Sequence, residues 1–131
     1  MTHRITGPFE VNLTPQPPQG SEAANPSRML IDKHFHGDLE ASSKGQMLSV
    51  MTPVKGSAGY VAIAEVTGTV NGTRGSFMLQ HSATMNRGVP QLSIVVIPDS
   101  GTADLTGLKG SMNIRIADGK HSYEFEYSLP D

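Results

Sequence analysis

The sequence contains no cysteine and no tryptophan, and it has no long apolar run. Without cysteine the protein has no disulfide bond, no zinc–thiolate site and no thiol nucleophile, so its fold depends on packing alone. A membrane-spanning helix needs about 20 apolar residues, and no such stretch is present. The first residues, MTHRITGPFE, also lack the apolar segment of a secretory signal. We therefore expect a cytoplasmic protein that contacts no membrane.

Basic residues are few and scattered. The chain has 10 lysines and arginines against 12 acidic residues, which gives a net charge of -2. Proteins that bind nucleic acids concentrate lysine and arginine on one surface to neutralise phosphates. We therefore expect no nucleic-acid partner. A length of 131 residues is enough to bury a core and predicts a single domain over residues 1–131.

Apolar residues alternate with polar ones along most of the chain, which is the period of a β-strand. The 14 glycines and 9 prolines also favour short strands and tight turns. No segment has a helical apolar stripe. The stretch TPQPPQGSEAANPS, residues 14–27, predicts a surface loop that acts as a tether or as a lid over a cavity mouth. The predicted strands are 3–13, 28–36, 39–51, 58–70, 74–85, 90–97, 108–117 and 121–129.

Two turns predict strand pairing. Asn71-Gly72 and Asp118-Gly119 suit a two-residue type I′ hairpin turn, in which both central residues have positive φ. The first turn places Val66 opposite Phe77 and Ala62 opposite His81. The second pairs apolar with apolar residues throughout, as expected of a correct register. Its inward pairs are Ile116 with His121, Ile114 with Tyr123, and Met112 with Phe125.

Sequential strands joined by short turns predict an all-β fold, a closed eight-stranded antiparallel meander barrel. A barrel of this size is filled by side chains or holds one small ligand. Strands 58–70 and 90–97 are apolar on both faces, although only one face can line the interior. Soluble monomers rarely expose a large apolar patch. We therefore expect a homo-oligomer formed through the outer faces of strands 58–70, 74–85 and 90–97.

His81 is the main candidate site residue, because its imidazole lies in the apolar row of a strand. It is either a ligand-contacting or proton-transferring group or a core histidine with an ordinary partner. His121 shares the inward row but lies beside a turn, where exposure is expected. Glu65 and Gln80 fall on the opposite, outward face. A bulge in the hairpin would reverse the faces and bring Glu65 into the lumen as a proton donor or acceptor.

Other motifs predict no cofactor and no metal. DKHFHGD, residues 32–38, places His34 and His36 on one side of a strand, but Arg28 shares that row and disfavours a cation, so we expect a solvated polar face. SGTADLTGLKG, residues 100–110, lacks the Gly-Lys-Ser/Thr end of a phosphate-binding loop, and its glycines are expected to serve turns and close packing. No serine has the sequence context of a hydrolase nucleophile.

Three segments carry a family resemblance: GSAGYVAIAEVTGTVNGTRGSFMLQHSATM, SGTADLTGLKGSMNIRI and HSYEFEYSL. They resemble an uncharacterised family of small bacterial proteins, a domain of unknown function whose fold is similar to the calycin-like allene oxide cyclase barrel. The Gly101-Thr102 stretch is similar to a Gly-Thr-Gly motif of allene oxide cyclases and dirigent proteins, with Ala103 in place of the second glycine. The resemblance implies an oligomer with an apolar lumen, and it points to Tyr60, Glu65, Gln80 and His81 as polar positions of interest.

Three functions remain open at this point. The first is binding of a small apolar or amphipathic molecule inside the barrel. The second is an isomerase or cyclase that uses Glu65 or His81 for proton transfer. The third is a barrel with a filled core that acts through its surface. The residues predicted to contact a ligand are Tyr60, Phe77, Leu79, Gln80, His81, Ile114, Tyr123 and Phe125.

Overall fold

A computed structural model describes residues 2–15 and 27–130. This part of the chain forms eight strands and a single turn of 3-10 helix at Ala103–Leu105, and no helix in it is long and apolar enough to cross a membrane. The strands are β1 (His3–Pro15), β2 (Ser27–Phe35), β3 (Leu39–Met51), β4 (Ala58–Val70), β5 (Thr73–Asn86), β6 (Val89–Val96), β7 (Lys109–Ala117) and β8 (Lys120–Ser128).

The eight strands form one closed antiparallel barrel, in which each strand pairs with the next and β8 pairs with β1. The predicted all-β barrel is therefore confirmed. Asn71 and Gly72 have φ values of 48° and 84°, as a type I′ turn requires. This turn places Val66 opposite Phe77 and Ala62 opposite His81, without a bulge.

The last hairpin also has the predicted register. Asp118 and Gly119 have φ values of 53° and 75°, and Ile114 lies opposite Tyr123. Ile116 pairs with His121 as predicted but is 68% exposed, so this isoleucine beside the turn does not line the interior.

At the other end of the chain, β1 extends beyond its predicted end at residue 13, and β2 (Ser27–Phe35) lies one position earlier than the predicted strand 28–36. Thr14 and Pro15 continue β1 because they pair with Leu30 and Met29 of β2. The rest of the predicted loop, residues 16–26, lies outside the described residues.

One end of the interior is packed with large apolar side chains, and we call it the closed end. Phe77 and Phe125 are buried there with their rings stacked at 5.7 Å. Leu105 and Leu108, from the segment between β6 and β7, are buried in the same core. Each strand supplies this core from one alternating row of residues, which is the pattern expected of a barrel interior.

The other end of the interior is less tightly covered, and we call it the open end. Met29, Met47, Tyr60 and Ala83 belong to inward-facing rows of β2 to β5, but they are only half-buried. Water therefore reaches the inside of the barrel at this end. The two ends give the lumen an apolar base and an accessible mouth.

Candidate functional site

Lys33 and His81 meet inside the barrel between the closed and open ends. Lys33 lies on β2 between the buried residues Ile31 and Phe35, and its side chain is half-buried. His81 lies on β5 in the row of Leu79 and is only 4% exposed. The ammonium Nζ of Lys33 is 3.4 Å from Nε2 of His81.

The two side chains meet because the strands between them carry small inward-facing residues. Ser43 and Gly45 of β3 lie next to Lys33 and Ile31 in the sheet. Ala62 and Ala64 of β4 follow, and Ala62 pairs with His81. None of these four side chains is large enough to separate a long lysine from an imidazole across the lumen. The small residues thus allow the two side chains to come into contact.

Burial shifts the protonation of both groups. Desolvation, together with the nearby positive charge of Lys33, lowers the pKa of His81 to about 4. Desolvation also lowers the pKa of Lys33 to about 8, while its ammonium lies 5.4 Å from the centre of the Phe9 ring. At neutral pH the imidazole is therefore neutral, and the amine is a cation that loses its proton more easily than an exposed lysine.

Hydrogen bonding then fixes the state of the imidazole. A charged Lys33 donates to Nε2, so the proton of the neutral ring is on Nδ1. This Nδ1 is buried and has no hydrogen-bond partner within the described residues. Lys33 also forms no ion pair with them. The pair therefore presents a cation and an unused N–H donor, a combination that suits an anionic oxygen.

The predicted interior residues divide between the two ends. Phe77, Leu79 and Phe125 are fully buried and fill the closed end. Ile114 is half-buried. Tyr60 is half-buried at the open end, where burial raises the pKa of its hydroxyl. Of these residues, Tyr60 is the one whose polar group lies near the accessible mouth.

The hydroxyl of Tyr123 has a structural role instead. It donates to the carbonyl of His36 at 2.8 Å and accepts from the amide of Leu39 at 3.0 Å. His36 lies in the connection between β2 and β3, and Leu39 is the first residue of β3. Tyr123 therefore fixes this connection from inside the barrel and has no free group for a ligand.

Glu65 and Gln80 lie on the outside of the barrel. Because the hairpin has no bulge, Glu65 follows the exposed row of Val61 and Ile63, and Gln80 pairs with Ile63. They line an outer groove of about 670 Å³ together with Leu48, Val61, Ile63 and Met78. Neither side chain reaches the lumen, so His81 is the proton-transfer candidate that remains inside. His121, beside its turn, is half-buried with its ring 5.3 Å from that of Phe9.

Lys33 was not among the residues predicted from the sequence. The signal was present, because Ile31, Lys33 and Phe35 alternate as an inward row with one charge in it. The same reasoning identified His81 on β5. In DKHFHGD, however, His34 and His36 are on the outward face, and the prediction considered these histidines and not Lys33.

Comparison with known proteins agrees with the architecture. No curated protein matches the chain. A family model described as "Protein of unknown function (DUF3224)" matches residues 5–127. The chain is also similar to a crystal structure of a protein with unknown function from the DUF3224 family of Shewanella oneidensis MR-1. The two are 47% identical over 100% of this chain and 99% of that one, with a TM-score of 0.92. The likeness to the allene oxide cyclase barrel stays a prediction, whereas the barrel and the matched sequence place this chain in the DUF3224 family.

Proposed function

We propose that the open end of the barrel binds a small, mostly apolar molecule with a carboxylate or another anionic oxygen at one end. The observation that supports this function is the unpartnered Nδ1–H of His81 beside the ammonium of Lys33. A buried donor without a partner is unfavourable, and an acceptor oxygen would satisfy it. The cation would balance the negative charge.

The surroundings of the pair suit the rest of such a molecule. Met29, Met47 and Ala83 provide an apolar wall at the accessible end. The neighbouring inward residues Ala62 and Ala64 are small and buried, and they add no polar group beside the pair. A mostly apolar pocket with a few polar groups that fix orientation is typical of small-molecule sites. The proposed site needs no cofactor, and a cytoplasmic location stays a prediction.

Octanoate and 1-octanol test this proposal, because they share a chain and differ in charge. We expect octanoate to bind and Lys33→Met to weaken it about tenfold or more, since a charge-assisted hydrogen bond contributes about 1.5–3 kcal/mol. Binding of 1-octanol should change little. Methionine fills a similar volume and removes a charge whose burial is unfavourable, so the fold should be retained. Titrations followed by amide chemical shifts give both dissociation constants.

Lys44→Met is the matched control, because Lys44 lines the outer groove and not the lumen. It should leave octanoate affinity unchanged. If Lys44→Met weakens octanoate and Lys33→Met does not, the ligand binds outside the barrel and the proposal is wrong. The proposal is also wrong if octanoate changes the amide chemical shift of no residue near His81.

We also propose that a second copy of the chain covers the outer groove. Val61 and Ile63 are 51% and 50% exposed on adjacent outward positions of β4, and soluble monomers seldom leave such a patch uncovered. The groove also holds charges of both signs, Glu65 with Arg28 and Lys44. About a two-fold axis, the carboxylate of one copy would face a cation of the other.

Light scattering at micromolar concentration tests this interface. The wild-type protein should be at least a dimer, and Ile63→Lys should reduce it to a monomer, because a charge would be buried in the apolar part of the interface. Ile116→Lys is the control, since Ile116 is 68% exposed on β7 and lies outside the groove. Ile116→Lys should leave the molecular mass measured by light scattering equal to that of the wild-type oligomer. A monomeric wild-type protein would exclude the interface.

A further inference from the structure

A separate cluster of imidazoles and carboxylates lies on the outer surface near the closed end. His34 ends the outward row of β2, and His36 follows in the connection to β3. Glu40 is on the outward row of β3, and Glu10 of β1 pairs with His34 in the sheet. Three neighbouring strands and the connection between β2 and β3 thus bring four potential metal ligands to one place.

The distances suit one metal ion. Oε2 of Glu40 is 3.7 Å from Nε2 of His34 and 3.6 Å from Nδ1 of His36. One ligand atom from each of the three residues lies within 4.8 Å of the others. Zinc–nitrogen and zinc–oxygen bonds are about 2.1 Å long, so two ligands of a tetrahedral ion are about 3.4 Å apart. The rings of His34 and His36 are stacked, with centres 4.8 Å apart and planes 28° from parallel. One ring must therefore rotate about its side-chain bonds before both nitrogens point at the same ion.

Glu10 has the position expected of a carboxylate that orients a metal-binding histidine. Its Oε2 is 2.6 Å from Nε2 of His36, the ring nitrogen that does not face Glu40. Histidines that bind metals usually donate their other N–H to a carboxylate, which fixes the tautomer and orients the ring. Glu10 stands in that relation to His36 already. The four residues therefore divide into three ligands and one orienting group.

The backbone beneath the cluster is held in place. The amide of His36 donates to the carbonyl of Pro8 at 3.0 Å, and the amide of Asn71 donates to the carbonyl of Asp38 at 2.6 Å. The buried hydroxyl of Tyr123 bonds to His36 and Leu39. His36 and Glu40 are thus attached to a fixed connection, which limits the entropy lost when they bind an ion.

The charges around the cluster favour a cation. Glu10 and Glu40 lie within the cluster, and Asp38 lies in the same connection. One cation, Lys44, lies four positions from Glu40 on the outward row of β3, in a groove that it shares with Glu10 and His34. Arg28 is six positions from His34 along β2, a separation of about 20 Å in an extended strand, and it donates to Gln46 instead. At this distance Arg28 does not oppose a cation bound at His34, contrary to the expectation from the sequence.

We propose that His34, His36 and Glu40 bind a divalent transition-metal ion of the zinc class, with Glu10 as a positioning residue for His36. Imidazole nitrogens select zinc, nickel and copper over magnesium and calcium, which prefer oxygen. The side chains of His34 and Glu40 are 56% and 54% exposed, so the ion is reached from solvent and water completes its coordination. This site lies outside the lumen and is independent of the proposed ligand.

Calorimetric titration of untagged, chelator-treated protein with zinc chloride tests the site. We expect one ion per chain, a dissociation constant in the micromolar range, and no comparable binding of magnesium. His34→Gln, His36→Gln and Glu40→Gln should each weaken zinc binding more than tenfold. Glu10→Gln should weaken it about tenfold, as expected for a group that orients a ligand.

His3→Gln is the matched control, because His3 is an exposed imidazole that contacts the ring of Tyr127 and not the cluster. It should leave zinc affinity unchanged. All the variants replace surface side chains, and circular dichroism checks that they fold. The proposal is wrong if zinc does not bind, if the ligand variants bind it as the wild type does, or if His3→Gln removes the binding.

Discussion

Phe125→Ala is expected to lower the free energy of unfolding by about 3–5 kcal/mol, a large part of the stability of a small domain. Phe125 is fully buried at the closed end, with its ring stacked on those of Phe77 and Tyr127. Removal of the ring leaves a cavity that the rigid barrel cannot close, so the lost contacts add to the lost hydrophobic transfer. Urea denaturation measures the change.

Met47→Ala gives the comparison from the open end. Met47 faces inward but is half-buried, so its loss should cost only about 1 kcal/mol. The difference between the two variants tests the division of the lumen into a packed and an accessible part. If Met47→Ala costs as much as Phe125→Ala, the open end is packed as densely as the core. The proposed ligand would then have no room.

The barrel could be predicted because its strands and turns are specified by short, local patterns in the sequence. Period-two alternation placed all eight strands, and Asn71-Gly72 and Asp118-Gly119 fixed two registers through the positive φ that their turns require. Arg87 and Gly88 form a third turn of this kind, with φ values of 49° and 91°. This turn was not predicted, because arginine is not a typical residue at positive φ.

Ala103 has a backbone conformation that was not predicted from the sequence. It stands where similar motifs have glycine, and its φ is 51°, in the left-handed region that glycine adopts at little cost. The residue begins the short 3-10 turn that carries Leu105 into the core. The turn is formed here with alanine, so the strain is offset by the packing that follows.

The sites were less predictable because they depend on contacts between distant strands. Lys33 and His81 are 48 positions apart, and they meet only because β3 and β4 carry small inward side chains. The outer cluster likewise needs Glu10 and Glu40 beside the histidines. That arrangement follows from the registers of β1 to β3, for which the connection Gly37-Asp38 gave no specific turn signal.

The stability of the barrel should fall by about 3 kcal/mol as the pH is lowered from about 6.5 to about 4, because of His81 alone. Its pKa is lowered from 6.5 to about 4 in the folded protein by burial and by Lys33. Between these values the unfolded chain binds a proton that the folded chain does not. Acid therefore favours unfolding, and the full stability is present above about pH 6.5. Urea denaturation at several pH values measures the slope.

His81→Gln removes this titration, so its free energy of unfolding should depend less steeply on pH over the same range. The difference between the variant and the wild type is then the contribution of His81, separate from that of other acid-sensitive groups. Lys33→Met gives a second check, since loss of the neighbouring cation should raise the pKa of His81 and so reduce the loss of stability in acid. If the three proteins lose stability in parallel, the imidazole of His81 is hydrated in the folded state. The pair would then lack the dry surroundings that make it a site for an anionic oxygen.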